Sequence, residues 1–472
     1  MYKKNTKIVA TLGPATDTLK DIENLIQAGM DIARLNFSHG SYEHHKKLIK
    51  HIKKAEKKSG KTIGIMQDLQ GPKIRLGELP KEGIKLRAND EVFITTKKII
   101  GEQNEKETVI PIQYSRITKD AKKDQTILIK DGLIELKIIA VSRGGLRSKV
   151  LIGGTVKTRN GVHLPNSAVS AQTITEKDKK DLSFGLKNDV DFIAMSFVKN
   201  KKDIENLRTL IKKKRGSAKI IAKVERHEAI DNLKEIIKAA DGVMVARGDL
   251  GTDIPAEQVP IIQKRMIRLA NKYGKPIITA TQVLNSMVKK SRATRAEISD
   301  AANAVFDSTD AIMLSNETAV GKYPVKAVST LSKVARVVEK EMQKHEELIE
   351  HPQNKRISAI NASCLNACEL AVDSNANYIA VYTEDGYTAR HVAKHRLYIP
   401  IIVITPDKKT ARELSLVWGI NTVIVKKIPK KVNKADKVFE ILKKEKILKK
   451  KEKVIVICNA STQESTISTF KL

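Results

Sequence analysis

Lys223 and Glu225 close the apolar run Ile220-Ile-Ala-Lys-Val-Glu225. Residues two apart on a strand project to the same face, so an ammonium and a carboxylate would share one surface. A buried ion pair would leave the same trace. The following apolar run, however, ends in Arg247-Gly-Asp-Leu-Gly251 and brings Asp249 to the neighbouring strand end. Glu225 and Asp249 are then two hard oxygen donors. Two carboxylates completed by substrate oxygens and water are the usual surroundings of Mg²⁺, with Mn²⁺ as an equivalent. A lysine beside such an ion suits stabilisation of charge on a transferring phosphoryl group or an enolate. The Gly248-Asp-Leu-Gly251 turn can present backbone N–H groups to a substrate carboxylate. An Arg-Gly-Asp tripeptide also suggests cell adhesion, but here it ends an apolar strand in a chain without a secretion signal.

Other apolar runs end in the same manner. Thr11-Leu-Gly-Pro14, Arg34-Leu-Asn-Phe-Ser-His39, Asp68 followed by Gly71-Pro-Lys-Ile-Arg75, Ser196, Thr279 with Thr281, and Ser315-Asn-Glu317 each follow or close one. Charges are costly to bury unless paired or metal-bound. Their convergence at one end of a set of strands points to a polar site rather than to scattered structural ion pairs.

The elements that must position these groups are short apolar runs: Lys7–Leu12, Met30–Leu35, Thr62–Leu69, Val190–Phe197, Lys219–Val224, Gly242–Ala246, Pro276–Ala280 and Ala311–Leu314. Such runs suit strands buried on both faces of a parallel sheet. Helical patterns fill the gaps. Asp17 or Thr18 can cap the first helix, and Gly29 ends it. The alternation predicts a (β/α)₈ TIM barrel of the α/β class, with its site at the C-terminal strand ends. Between Leu76 and Ala168 the pattern changes to strands at Glu91–Thr95, Thr126–Ile129, Ile134–Val141 and Lys149–Ile152, with turns at Asp131-Gly132 and Gly144-Gly145. This predicts an inserted small β-barrel lid over the barrel mouth. After the linker-like His351-Pro-Gln-Asn-Lys355, strands near Tyr378–Tyr382, Ile401–Ile404, Thr422–Val425 and Val454–Ile457 predict an open C-terminal α/β domain. The expected division is 1–72 with 170–340 for the barrel, 73–169 for the lid and 341–472 for the C-terminal domain.

The chain of 472 residues has a net charge of +33 and three cysteines. So few cysteines exclude a disulfide framework, and no apolar run is long enough for a membrane span. A cytoplasmic enzyme is expected. The basic residues are dispersed rather than gathered into a stripe with interleaved aromatics, which speaks against a specific nucleic-acid partner. The dense segment Lys426–Lys453 carries Val438, Ile441, Leu442 and Ile447 at near-helical spacing, so its lysines form a solvated helix face. The charge should attract anionic metabolites.

Arg34-Leu-Asn-Phe-Ser-His-Gly40, Asp68-Leu-Gln-Gly-Pro-Lys-Ile-Arg75, Ile220-Ile-Ala-Lys-Val-Glu225, Met244-Val-Ala-Arg-Gly-Asp-Leu-Gly251, Ala280-Thr-Gln282 and Thr294-Arg-Ala-Glu297 together resemble the signatures of pyruvate kinases. The resemblance implies phosphoryl transfer from phosphoenolpyruvate to ADP, giving pyruvate and ATP, in a homotetramer. It implies that Arg34 contacts the phosphoryl group and Lys223 stabilises the transition state. Glu225 and Asp249 would hold Mg²⁺ or Mn²⁺. The backbone of Gly248 and Asp249 and the hydroxyl of Thr281 would hold the carboxylate, and water near Thr281 and Ser315 would protonate the enolate. Arg75 and His39 match nucleotide-side positions. Asn36, Ser38, Asp68 and the carbonyl of Leu69 match a monovalent-cation site. Relatives that need K⁺ carry Glu in place of Lys73 and Thr in place of Leu69, so the resemblance implies that K⁺ is dispensable here. A lid lysine is replaced by Asn160, with Arg159 beside it as a substitute toward the nucleotide. Asn316, Ala293 and Cys458-Asn-Ala-Ser-Thr462 also depart from the family pattern. Thr383-Glu-Asp-Gly-Tyr-Thr388 matches the effector loop of regulated relatives, where Glu384 and Asp385 would repel fructose 1,6-bisphosphate.

Rival readings are a metal-dependent aldolase on a similar barrel, which would need neither lid nor Arg75, and a basic nucleic-acid or scaffold protein with a degenerate barrel. The intact set Arg34, Lys223, Glu225, Asp249 and Thr281 argues against the second. Cys364 with Cys368 and His391 with His395 have zinc-compatible spacing but suit ordinary helix faces. His44 and His45 are expected on the surface.

Overall fold

The computed structural model describes residues 4–344, 358–458 and 466–472, apart from the single positions 106, 131, 166, 168, 169, 171 and 430. Eight parallel strands close into a barrel in chain order. They are β1 (Lys7–Leu12), β2 (Ile32–Asn36), β3 (Gly64–Asp68), β4 (Phe192–Met195), β5 (Lys219–Val224), β6 (Gly242–Ala246), β7 (Ile277–Ala280) and β8 (Ala311–Leu314). Neighbouring residues on a strand enter different cores. Val9 of β1 joins Ile32, Met66, Phe192, Ile221 and Met244 in the barrel interior, whereas Ile8 and Ala10 pack under the helices. Both faces being buried, the strands show no polar alternation. Four strands are shorter than their apolar runs. Met30, Ile63 and Val190 are buried in the approaching loops, so hydrophobicity begins before pairing does.

The helix Leu19–Ala28 is capped by Thr18, whose hydroxyl accepts from Asp21 N at 3.1 Å, and it ends at Gly29 with φ of 123°. Asp17 faces Lys47 instead. Between β3 and β4 the chain forms a seven-stranded sheet and a two-stranded ribbon around one core running from Ile74 to Leu164. Burial alternates along its strands, as in Gly145–Ile152 and Ile134–Ser142, because one face packs and the other meets water.

The last part is a five-stranded sheet. Its strands are β9 (Tyr378–Tyr382), β10 (Ile401–Thr405), β11 (Ile420–Ile424), β12 (Lys453–Cys458) and β13 (Thr466–Lys471), in the order β11-β10-β9-β12-β13. Four strands are parallel, and β13 returns antiparallel along the edge. Its mixed, half-exposed sequence gave no apolar run to mark it. Lys434–Lys444 is the lysine-rich helix anticipated from Val438 and Leu442, both buried. The linker expected at His351–Lys355, the turn residue Asp131 and the positions 459–462 lie outside the described residues.

His45, expected on the surface, is buried. Its ring stacks on Phe37 at 4.1 Å, and its Nε2 lies 2.9 Å from His39 O. His44 stays partly exposed. Cys364 and Cys368 are free, buried thiols on the helix Ala359–Asp373, their sulfurs 3.9 Å from the carbonyls of Thr388 and Val392. His391 stacks on Tyr387 at 4.0 Å. Cys364, Cys368 and His391 lie on packed faces of adjacent helices, as expected, whereas His395 sits in the turn after the helix Tyr387–Ala393.

Candidate active site

Three strand tops converge on one buried ammonium. Lys223, near the end of β5, has Nζ 3.1 Å from Asp68 Oδ1 on β3, 2.7 Å from Ser196 Oγ after β4, and 2.8 Å from Glu225 Oε1. Arg34 on β2 donates from Nε to Asp68 Oδ2 at 2.8 Å and from Nη1 to Thr11 Oγ1 of β1 at 2.8 Å. Asp68 therefore holds both cations, one on each oxygen. Burial alone would lift the Asp68 carboxyl, but Lys223 and Arg34 outweigh it and keep the group ionised below the usual range. Burial would likewise pull the Lys223 ammonium down. Asp68 and Glu225 reverse this and hold it above the usual lysine range. The side chain is thus a fixed positive charge in a largely water-excluded place.

Glu225 follows β5 immediately. Its second oxygen accepts from Phe197 N at 2.8 Å. Burial pushes its carboxyl up, Lys223 opposes this, and the nearby Asp249 pushes it further. Asp249 is thus near enough to disfavour charge on Glu225, an arrangement that a bound divalent cation relieves. Asp249 lies in the first turn of the helix Arg247–Asp253, so the expected turn after β6 is already helical. There Gly248 N donates to Thr281 Oγ1 at 2.8 Å. Thr281 has φ of 68°, and Gln282 has φ of 53°. Positive φ is costly for a β-branched residue, and such outliers gather at functional sites. Arg247 holds the loop in place, donating to Thr281 O at 3.0 Å and to Asp300 Oδ1 at 2.7 Å.

The remaining residues singled out in the sequence spread around this centre. Asn36 Oδ1 accepts from Ser38 N at 3.1 Å, and Leu69 O accepts from Ser196 Oγ at 2.7 Å. Lys73 Nζ lies 3.8 Å from Asp249 Oδ1. Burial depresses the His39 imidazole below its usual value, and the charges of Arg75, Lys73 and Arg34 depress it further, so these four groups share one basic rim. Arg75 Nη1 donates to Arg159 O at 3.1 Å across the lid junction. The guanidinium of Arg159 is exposed, in a turn with φ of 63°. Asn160 Oδ1 accepts from Lys157 N at 2.7 Å, closing that same turn, so this departure has a local structural use.

Several residues of the site gave no signal in the sequence. Arg226 donates to Ser167 O of the lid junction at 2.7 Å, and His163 of the lid lies 3.2 Å from Thr252 Oγ1 of the barrel. Lys177 Nζ donates to Phe37 O at 2.6 Å. Each sits in a loop or helix whose pairing depends on how the lid returns to the barrel. Among the described residues, one His/Asp/Glu group has metal-ligand proximity, His227, Glu228 and Asp253. Arg226 donates to Glu228 at 2.5 Å and His227 N donates to Asp253 at 2.6 Å, so internal partners already engage both carboxylates.

Residues 3–328 match the family described as pyruvate kinase, barrel domain, and residues 361–472 match pyruvate kinase, alpha/beta domain. The chain belongs to the pyruvate kinase family. A pyruvate kinase of Staphylococcus epidermidis is 42% identical over 423 residues, covering 89% of this chain and 72% of the relative. One of Staphylococcus aureus is 42% identical over 425 residues, covering 90% and 72%. A crystal structure of a pyruvate kinase from Cryptosporidium parvum superposes with a TM-score of 0.91 at 35% identity, covering 98% of this chain and 96% of that one. The reaction is that of the family: phosphoryl transfer from phosphoenolpyruvate to ADP, giving pyruvate and ATP in the final step of glycolysis. Pyruvate kinases depend on a divalent metal, and the carboxyl of Glu225, pushed up by burial and by Asp249, has together with the Asp249 carboxyl the donor chemistry for one.

Proposed function

We propose that this pyruvate kinase works with Lys223 as its transition-state stabiliser, Glu225 and Asp249 as its divalent-metal ligands, and Arg34 and Thr281 as further substrate contacts. The carrying observation is Lys223 Nζ, fixed by Asp68, Ser196 and Glu225 at three different strand tops. A preorganised ammonium of this kind stabilises charge that develops on the transferring group without reorganising at the moment of reaction. Arg34, oriented by Asp68 and Thr11, supplies a second positive charge for the phosphoryl oxygens. Gly248 and Asp249 head a helix and orient the substrate carboxylate through their N–H groups, with the Thr281 hydroxyl beside them. A bound Mg²⁺ or Mn²⁺ would add Lewis-acid polarisation of substrate oxygens. Arg75, His39 and Arg159 receive the nucleotide phosphates along the basic rim.

Protonation of the enolate carbon falls to water ordered near Thr281 and Ser315. Monovalent cations are dispensable, because Lys73 supplies positive charge beside Asp249. Of the cage groups Asn36, Ser38, Asp68 and Leu69 O, the oxygens of Asn36, Asp68 and Leu69 accept hydrogen bonds from the protein, which supports this reading. The lid is assigned to 73–169, the barrel to 1–72 with 170–340, and the C-terminal domain to 341–472. The enzyme is cytoplasmic, and among the described residues no helix is long and apolar enough to cross a membrane. It assembles as a homotetramer. Exposed Ile261, Phe306 and Val337 on the outer barrel helices support a subunit contact there. One experiment tests the assignment: pyruvate formation from phosphoenolpyruvate and ADP, titrated with Mg²⁺, in the parent and in Asp249→Ala. Loss of metal activation together with weaker phosphoenolpyruvate binding is expected, and unchanged Mg²⁺ dependence would remove Asp249 from the metal site.

A further inference from the structure

The end of the barrel remote from this site is closed by the C-terminal domain. Leu416, fully buried, enters the barrel interior beside Val9, Ile32 and Met66. The preceding helix, Lys408–Leu414, lies against β3 of the barrel. Gly64, which opens β3, permits that approach. A Cβ there would stand 2.8 Å from Ser415 Oγ and 3.1 Å from Arg412 O.

Arg412 on this helix is buried, and its Nε lies 3.3 Å from Asp191 Oδ1. Asp191 is fully buried and ties three strands together at their starts. Its Oδ2 accepts from Ile65 N of β3 at 2.8 Å, its own chain leads directly into β4, and its carbonyl accepts from Lys219 N of β5 at 2.9 Å. The same three strands carry Asp68, Ser196 and Lys223 at their other ends, the groups whose mutual contacts fix the ammonium. One foot residue and one head cluster therefore share β3, β4 and β5.

We propose that Arg412 of the C-terminal domain is a positioning residue for phosphoryl transfer, acting through Asp191 on the relative height of β3, β4 and β5 and hence on Lys223. The backbone ladder fixes pairing to a whole residue. It leaves fractions of an ångström undetermined, and displacements on the ångström scale at reacting groups cost rate. The contact between Arg412 and Asp191 is one of charge, since neither Asp191 Oδ1 nor Arg412 Nε has an aligned hydrogen bond. Other charges facing Asp191 are Asp189 from its own loop and Lys409 from the helix, with Lys219 and its partner Glu413 alongside. Burial pushes the Asp191 carboxyl up to about 7 against the pull of Arg412, so the pair is fully charged only on the alkaline side of neutrality.

The inference rests on the role given to Lys223, and the experiment separates the two. Steady-state kinetics at pH 8 would compare the parent with Arg412→Met, Arg412→Lys, Asp191→Asn, the double variant Arg412→Met with Asp191→Asn, and Lys408→Met, alongside Lys223→Met. Lys408 pairs in the same interface with Glu56, at 3.4 Å, rather than with Asp191. The expected result is a roughly 3- to 30-fold fall in kcat for Arg412→Met and for Asp191→Asn, with KM for ADP unchanged. The double variant should be no worse than either single one. Arg412→Lys should recover most of the loss, and Lys408→Met should leave kcat intact. Should Arg412→Met fail to fold, Arg412→Lys and Asp191→Asn still decide. Normal kcat in Asp191→Asn, additive losses, or an equal loss in Lys408→Met would overturn the proposal, while an active Lys223→Met would overturn the underlying assignment instead.

Discussion

A lysine buried among two carboxylates can be a structural ion pair or a working charge, and the partners decide between them. Lys223 is held by Asp68, Ser196 and Glu225, while Glu225 remains pushed upward by burial and by Asp249. A purely structural pair would leave no unrelieved carboxylate at the mouth of a barrel. Lys223→Met is therefore expected to lower kcat by at least about 10²–10³ while leaving thermal unfolding cooperative. A variant that keeps near-parental turnover would take Lys223 out of the mechanism. Lys73 makes a similar argument from charge. Its ammonium faces Asp249 at 3.8 Å, so a cation is already built in beside the site. Substantial activity is expected when all K⁺ is replaced by a bulky quaternary ammonium ion, and Lys73→Glu is expected to create a K⁺ requirement. Near-complete loss of parental activity without K⁺ would show that the lysine does not stand in for the ion. Both residues were visible in the sequence because strand ends concentrate charge that burial would otherwise forbid. Arg226 and Lys177 were not: their carboxylate partners Glu228 and Asp181 are local, and what ties them to the site are the carbonyls of Ser167 and Phe37, which no pattern of side chains announces.

At the scale of elements, the barrel strands were legible because each is a short apolar run followed at once by polar residues. Their limits were less so: Met30, Ile63 and Val190 are as buried as the strands they precede. The edge strand Thr466–Lys471 stayed hidden because edge strands carry no continuous hydrophobic face. The head of the helix Tyr387–Ala393 shows what geometry adds to charge. Its sequence already predicted that Glu384 and Asp385 would repel a sugar phosphate. In the fold, Asp385 Oδ1 accepts from Tyr387 N at 2.9 Å, Thr383 Oγ1 accepts from Gly386 N at 3.0 Å, and Glu384 pairs with Lys427 at 2.6 Å. Two N–H donors that would receive a phosphate, those of Gly386 and Tyr387, are already taken by the chain itself. Fructose 1,6-bisphosphate is therefore expected to leave the phosphoenolpyruvate saturation curve unmoved. A clear shift of that curve to lower concentration would mean that the loop opens to admit the phosphate.

At the scale of the molecule, the barrel and the C-terminal domain are joined through Leu416 and the ion pairs around it. Leu416→Ala would empty a filled position inside the barrel and is expected to cost about 2–5 kcal/mol in denaturant unfolding. A loss well under about 1 kcal/mol would show that the barrel closes without its plug. Acid should strain the same junction from the other side. His391 and His395 are both depressed to about 4, by burial first and then, against the hydrogen bond His391 makes to Tyr387 O, by neighbouring cations such as Lys394. Between about pH 4 and 6.5 the unfolded chain then binds more protons at these positions than the folded one, so stability from them is present above that window and lost as pH falls. Asp191, Glu225, Glu339 and Glu413 are shifted upward by burial and act in the opposite sense over part of the same range. The net slope of the parent protein is therefore a poor test, and a difference between proteins is a good one. His391→Gln combined with His395→Gln removes the histidine contribution and leaves the carboxylates in place. The double variant is expected to lose less of its melting temperature than the parent between pH 6.5 and 4.5. Parallel losses in the two proteins would mean that both histidines accept protons in the folded state, and that the packing around Tyr387 and Lys394 does not keep them neutral.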